Sequence, residues 1–76
     1  MDQEFRTKDL YLAAFLYSEN KLLKRTDREG KICWFVFDNE NDCREFVNRF
    51  WAGQAYCNAK KFADALRTLK DRIFSE

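Results

Sequence analysis

The sequence contains no histidine and no proline, and it has only two glycines among its 76 residues. Without histidine there is no imidazole to act as a general base or to activate a serine or cysteine nucleophile. Gly30 and Gly53 are too few for the glycine-rich loop that cradles phosphates in nucleotide-binding motifs. These absences disfavour the common enzyme classes, so we expect a non-enzymatic protein that requires no cofactor.

The net charge and the cysteine count are also low. The chain carries 14 basic and 13 acidic residues, a net charge of +1, whereas a general polyanion binder is usually strongly basic. Its three cysteines, Cys33, Cys43 and Cys57, form no CxxC pair. Because histidine is missing too, we expect free thiols, no structural metal and a reducing, cytoplasmic setting.

Long apolar runs are missing as well. The longest wholly apolar run, Leu10 to Tyr17, is far too short to cross a bilayer, and we expect neither a membrane segment nor a signal peptide. The length predicts one compact domain over residues 1–76.

Aromatic residues make up 17% of the chain, which is high for a core this small. Some of these rings are expected at an interface, so we predict a homo-oligomer.

The hydrophobic periodicity predicts an α+β fold with the element order α-β-β-α-α. Thr7 is the expected N-cap of the first helix, and Asn20 its expected left-handed end. The next two segments read as an antiparallel hairpin packed on the helices, with Gly30 supplying a positive φ in the turn. The predicted bounds are Lys8 to Glu19 for the first helix, Asp27 to Gly30 for the hairpin turn, Glu40 to Ala52 for the second helix and Ala59 to Phe74 for the third.

The second hairpin strand is apolar on both faces. Alternation places Ile32, Trp34 and Val36 on one face and Cys33, Phe35 and Phe37 on the other. One face covers the core, and the other needs a helix, a partner chain or a ligand over it. The apolar stripes also place Trp34 or Trp51 in the core.

The start of the third helix is the candidate ligand site. Asn58 caps it, and Lys60 and Lys61 stand in its first turn, where the helix dipole already favours anions. A phosphate bound there would relieve the charge conflict, and Arg67 lies about two turns further on. The alternative is that Lys60 pairs with Asp64 while Lys61 is solvated.

The hairpin carries a second basic group, in which Lys24 and Arg25 are the candidate ligand-binding residues. Beside aromatic rings such a group suits a nucleotide or nucleic acid, but charges on an edge strand also prevent sheet-to-sheet association.

A helix-turn-helix formed by the last two helices is disfavoured, since the GQAYCN link is long for that motif. The alternative function is a protein–protein inhibitor or adaptor, whose expected contact residues are Trp34, Phe35, Phe37 and Trp51.

Two other groups of residues have simple structural explanations. Asp38, Glu40 and Asp42 cluster at the start of the second helix, where acidic residues cap the helix and complement its dipole. Cys43 falls on the apolar stripe with Phe46, which favours a buried cysteine over a reactive one.

Four blocks together resemble a family of small proteins known only as a domain of unknown function. The blocks are DLYLAAFL (9–16), WFVF (34–37), FWxG (50–53) and NAKKFADALRTLKD (58–71). The resemblance covers nearly the whole chain and implies a compact single domain encoded by bacteria, their phages or other mobile elements. It implies no catalytic residue.

Overall fold

The structure, a computed structural model, describes residues 3–74. Three strands and three helices follow one another along this part of the chain. They are β1 Phe5–Thr7, α1 Leu10–Ser18, β2 Leu23–Glu29, β3 Ile32–Phe37, α2 Glu40–Trp51 and α3 Ala59–Phe74. The α+β class and the α-β-β-α-α order are confirmed, and β1 precedes them.

The three strands form one antiparallel sheet in the order β1-β3-β2. The most apolar strand, β3, therefore lies in the centre, and Val36 stands between Arg6 of β1 and Arg25 of β2. The sequence of residues 1–6, which is polar apart from Phe5, predicts a loose or briefly extended lead, whereas Phe5–Thr7 is a strand in the structure. Met1 and Asp2 of that lead lie outside the described residues. A strand of three residues has too little pattern to be recognised from sequence.

The hairpin is confirmed, but its turn is shorter than predicted. Asp27 and Glu29 still pair with β3, and only Gly30 and Lys31 connect the strands. Gly30 has φ +60°, which a glycine adopts without the cost that a Cβ imposes. The polar Asp27–Glu29 run had indicated a turn, but it belongs to an edge strand whose outer side meets water.

The helix ends follow from local hydrogen bonds. The Asp9 carboxylate, and not the Thr7 hydroxyl, caps α1 by accepting from the backbone N–H groups of Tyr11 at 2.9 Å and Leu12 at 3.2 Å. Thr7 lies in β1, and its hydroxyl accepts from the Asp9 backbone N–H at 3.1 Å. Asn20 ends α1 with φ 66°, as predicted. The bounds predicted for α3 are confirmed as Ala59–Phe74.

The core lies between the sheet and the helices, with α1 at its centre. Leu12 to Leu16 are all buried, as expected for a helix that is apolar nearly all round. Phe35 and Phe37 of β3, Cys43 of α2 and Leu69 of α3 complete the same cluster. The Phe15 ring packs on two rings of α2, those of Phe46 and Phe50, at centroid distances of 6.1 and 6.0 Å.

Neither tryptophan belongs to that core, so the prediction that one of them would is wrong. Trp51 ends α2 with 66% of its surface exposed, and its ring packs edge-to-face with that of Phe50 at a centroid distance of 5.2 Å. Trp34 lies on the sheet face away from the helices and is half-buried. The core is instead filled by phenylalanines and by small and aliphatic residues of α1.

Candidate functional site

The start of α3 has the local geometry that the sequence predicts. The Asn58 side-chain oxygen accepts from the Lys61 backbone N–H at 3.0 Å, which is an N-cap hydrogen bond. Gly53 has φ +73° at the end of α2, and the intervening residues 54–57 form a loop and not an edge strand. The loop therefore presents the helix start to solvent.

Two of the predicted anion ligands are engaged by one carboxylate. The Lys60 ammonium lies 3.3 Å from Asp64, and the Arg67 guanidinium lies 3.7 Å from the same side chain. Both cations are on the exposed face of α3, where such pairs are weak. Arg67 does not reach back to the helix start, so Lys60 and Arg67 do not form a single site with Asn58.

Lys61 faces a different surface. It lines a cavity of about 250 Å³ between α3 and the end of α1, beside Tyr17, Asn20 and Thr68. Asp64 is the single carboxylate among the residues that line this cavity, and Lys60 and Arg67 already offset its charge. Within residues 3–74, no carboxylate oxygen lies within ion-pair distance of the Lys61 ammonium.

A second cavity of about 430 Å³ adjoins the first, because Tyr17 and Asn20 line both. Lys21, Leu22, Leu23 and Arg72 complete its lining. We call the two cavities together the α1–α3 groove. The Lys21 ammonium also lies 4.2 Å from the centroid of the Phe46 ring, which anchors α2 to this end of α1. Arg72 does not stand out in the sequence, and the basic group of the hairpin, which begins at Lys21, gives no sign that the two cations line one groove, since the groove is assembled by the packing of distant segments.

Lys24 and Arg25 lie elsewhere and form an ion-pair network with Glu4. Lys24 Nζ donates to the Glu4 carboxylate at 2.8 Å, and Arg25 donates to both of its oxygens, at 2.9 and 3.0 Å. Arg25 Nε also donates to Asp27 at 3.0 Å. The hydrogen bonds from Arg25 and then from Lys24 hold the pKa of Glu4 at about 2, well below its usual 4.5.

This network covers the sheet face opposite the helices, which we call the outer sheet face. There the Arg6 guanidinium lies 4.8 Å from the centroid of the Trp34 ring, and Trp34 Nε1 donates to Glu29 at 2.8 Å. Val36 is 0% exposed although it lies outside the core cluster. Among the residues that the structure describes, the second apolar face of β3 is therefore covered by the long side chains of β1 and β2.

The predicted protein-contact residues divide between the interior and the surface. Phe35 and Phe37 are fully buried in the core, so their assignment to a contact surface is wrong. Trp34 is engaged on the outer sheet face, and Trp51 is largely exposed. Tyr56 in the α2–α3 loop, which was not predicted, is 83% exposed. Exposed aromatic side chains in a loop carry no periodic signal that would distinguish them in the sequence.

The groups considered for catalysis have structural roles. Asn39, with φ 62°, caps α2 by accepting from the Asp42 backbone N–H at 3.3 Å, and Glu40 pairs with Arg44 at 3.2 Å. Cys43 is fully buried, and burial raises the pKa of its thiol, which disfavours the reactive thiolate.

Over residues 3–74, no three side chains of the metal-binding types come together, and no helix has the length and apolar composition needed to cross a bilayer.

The fold and these surfaces define a small three-stranded α+β domain whose surface has two distinct charged regions. The chain belongs to the DUF5659 family, a domain of unknown function, whose family model matches residues 2–75. It matches no curated protein and no solved structure.

Proposed function

We propose that this protein is a non-enzymatic binding protein for a phosphate-bearing ligand, a nucleotide or a nucleic acid, which it holds in the α1–α3 groove. The observation that carries the proposal is Lys61. Lys61 lines a cavity, stands in the first turn of a helix whose dipole favours an anion, and has no carboxylate partner within residues 3–74.

The remaining groove residues suit the same ligand. Tyr17, Asn20 and Thr68 line the first cavity and offer hydrogen-bond donors to phosphate or sugar oxygens. Lys21 and Arg72 add positive charge to the second. Lys60 and Arg67 support the site indirectly, because they reduce the repulsion that Asp64 would exert on an anion. Lys24 and Arg25 are not part of this site, since their charges are used on the outer sheet face.

Calorimetric titration at low salt tests the proposal. The ligands are a nucleoside diphosphate, a cyclic dinucleotide and a short oligonucleotide, and the variants are Lys61→Gln and Lys31→Gln. Lys31 is an exposed lysine of the hairpin turn, so the second variant makes the same charge change away from the groove. We expect at least one ligand to bind, and Lys61→Gln alone to weaken it. If none of the three binds, or if both variants weaken binding equally, the proposal is wrong.

A second candidate function is protein binding, as an inhibitor or adaptor or as a homo-oligomer. Trp51 and Tyr56 favour it, because tryptophan and tyrosine are enriched where proteins meet and these two are largely exposed on one chain segment. Oligomerisation through the outer sheet face is disfavoured, since that face is already covered. A photo-crosslinking residue at position 56, compared with one at position 31, tests this function in the cells that encode the protein. A single crosslinked partner specific to position 56 is expected, and identical products from both positions would contradict it.

The resemblance to bacterial and phage proteins leads to a proposed biological role for this binding. If the protein is encoded by a phage or another mobile element, a groove for phosphate-bearing ligands suits the sequestration of a host nucleotide signal or the masking of nucleic acid from host defence. Expression in a phage-challenged host, with Lys61→Gln as the matched variant, would reveal this activity as a difference in phage yield. Equal yields with both proteins would contradict it.

A further inference from the structure

We infer that the ligand of the α1–α3 groove is a single-stranded nucleic acid and not a mononucleotide. This inference rests on the function proposed above and specifies the class of its ligand. It depends on the length of the groove, on the position of its charges and on the aromatic ring between them.

The groove is longer than a mononucleotide. Lys61 lines the first cavity and Arg72 the second, and both belong to the single continuous helix α3. Their separation along the helix axis is about 16 Å at a rise of about 1.5 Å per residue. Successive phosphates of a stacked strand are separated by about 3.4 Å along the strand axis, so this length corresponds to about five stacked nucleotides. One phosphate group could meet only one end of the groove.

The charges along the groove match a continuous backbone. Lys61 stands at one end, and Lys21 and Arg72 stand at the other, so cations from two separate segments face one path. Asp64 is the single carboxylate among the residues that line either cavity, and it is paired with Lys60 and Arg67 on its outer side. A protein with a net charge of only +1 can therefore still bind a polyanion along this one path.

Tyr17 supplies a stacking surface in the middle of the path. Its ring lines both cavities and is partly exposed, and Leu22 extends the apolar wall beside it. Proteins that bind single strands without sequence preference combine a basic groove with aromatic rings on which bases stack. The same rings are of little use to a duplex, whose bases are already stacked on one another. The combination favours a single strand of relaxed sequence preference.

Fluorescence anisotropy with fluorescein-labelled dT6 tests the inference, with dT2 and thymidine monophosphate as competitors. We expect dT6 to bind at least about ten-fold more tightly than either competitor. The logarithm of its association constant should fall with the logarithm of salt concentration with a slope of about −1.4, from about 0.7 for each phosphate met by Lys61 and Lys21. Lys61→Ala and Lys21→Ala should each reduce that slope by about 0.7, and Lys31→Ala should not change it.

Variants of Tyr17 separate stacking from a merely structural role. Tyr17→Ala should weaken dT6 binding about five-fold or more, whereas Tyr17→Phe, which keeps the ring, should restore it. Melting curves of all variants show whether the fold is intact, and Tyr17→Phe remains informative if Tyr17→Ala is unstable. Binding that is lost equally in both Tyr17 variants would contradict stacking and overturn the inference.

The competitors distinguish the failure of this inference from the failure of the proposed function. If thymidine monophosphate competes as well as unlabelled dT6, and Lys61→Ala weakens both, the groove binds a nucleotide and only the present inference is wrong. If dT6 binds with a slope that neither lysine variant changes, the strand lies elsewhere and the inference is again wrong. If neither dT6 nor thymidine monophosphate binds at low salt, both proposals fail.

Discussion

The outer sheet face and the α1–α3 groove carry similar numbers of cations but use them in different ways. On the outer sheet face, Arg6, Lys24 and Arg25 meet carboxylates or an aromatic ring of the same chain. In the groove, Lys61 and Lys21 line cavities, and neither is within ion-pair distance of a carboxylate in residues 3–74, although Lys21 lies over the Phe46 ring. The cations of the first region stabilise the fold, whereas Lys61 has neither kind of partner among the described residues and is the cation that we propose for the ligand. Counting charges in the sequence cannot separate these two uses.

A carboxylate introduced into each region should produce the largest difference between them. Val36→Asp places a carboxylate beneath the covering side chains of the outer sheet face, between Arg6 and Arg25, where it is taken out of water. Because the flanking guanidiniums offset only part of the desolvation cost, we expect it to lower the free energy of unfolding by about 1–4 kcal/mol, a large part of what a domain of this size has. Leu22→Asp, at a position in the groove that is 64% exposed, should change it by no more than about 0.5 kcal/mol.

Urea denaturation of the two variants measures this difference directly. Equal losses of stability would show that Val36 is accessible to water or that the groove is part of the core. Either result would remove the distinction between the two regions.

Substitution of the two tryptophans should also affect stability differently in the two parts of the molecule, although by smaller amounts. Trp34→Ala removes a hydrogen bond to Glu29 and the contact with Arg6, and we expect a loss of about 2 kcal/mol in unfolding free energy. Trp51→Ala removes one edge-to-face contact with Phe50, worth about 0.5–1.5 kcal/mol. Acrylamide should quench the fluorescence of a Trp51-only protein more strongly than that of a Trp34-only protein. Quenching in the reverse order would contradict the placement of both rings.

Acid should weaken the outer sheet face before it affects the groove. The pKa of Glu4 is lowered from 4.5 to about 2 in the folded protein, first by Arg25 and then by Lys24. A carboxylate with a depressed pKa contributes stability that is fully present above its unfolded pKa and is lost as the pH falls toward its folded pKa. We therefore expect the parent to lose stability between about pH 5 and pH 2.

Glu4→Gln is the control, because it removes this contribution at every pH. Its urea midpoint should lie below that of the parent at pH 7 and approach it near pH 2, and added salt should narrow the gap since the pair is exposed. Curves that stay parallel from pH 7 to pH 2 would exclude Glu4 as the titrating group.

The smallest predicted effect on stability is a gain. Lys61→Glu replaces a cation that opposes the dipole of α3 with an anion that complements it, which is worth about 0.3–1 kcal/mol. Its melting temperature should equal or exceed that of the parent while its binding of a phosphate-bearing ligand is lost. Arg25→Glu, the same charge reversal on the outer sheet face, should lower the melting temperature. A destabilised Lys61→Glu protein would show that Lys61 has a structural role.

Local features were readable from the sequence where a few adjacent residues determine the structure. Asn58 with the stripe of Ala59–Phe74 determined α3, and Gly30 determined the position of the hairpin turn to within a few residues. The pattern could not reveal β1, because three residues become a strand only when β3 pairs with them. The groove was also hidden, since Lys61, Tyr17 and Lys21 come together only through the packing of α3 on the end of α1.

The start of α3 shows the same limit of what a sequence pattern can predict. The sequence correctly predicted that Asn58 caps α3, but it grouped Asn58 and Lys61 with Lys60 and Arg67 by spacing alone. In the structure Asp64 draws those two cations onto the exposed face of α3. Helical periodicity predicts which residues share a face, but not which carboxylate engages each of them.

A map of amide chemical shifts during titration with dT6 at low salt shows which of the two charged regions binds the strand, because it observes both in one experiment. We predict shift changes that cluster at Tyr17, Asn20, Lys21 and Lys61, with Lys24, Arg25 and Trp34 unchanged. Shift changes centred on Lys24, Arg25 and Trp34, or none anywhere at saturating dT6, would contradict the account.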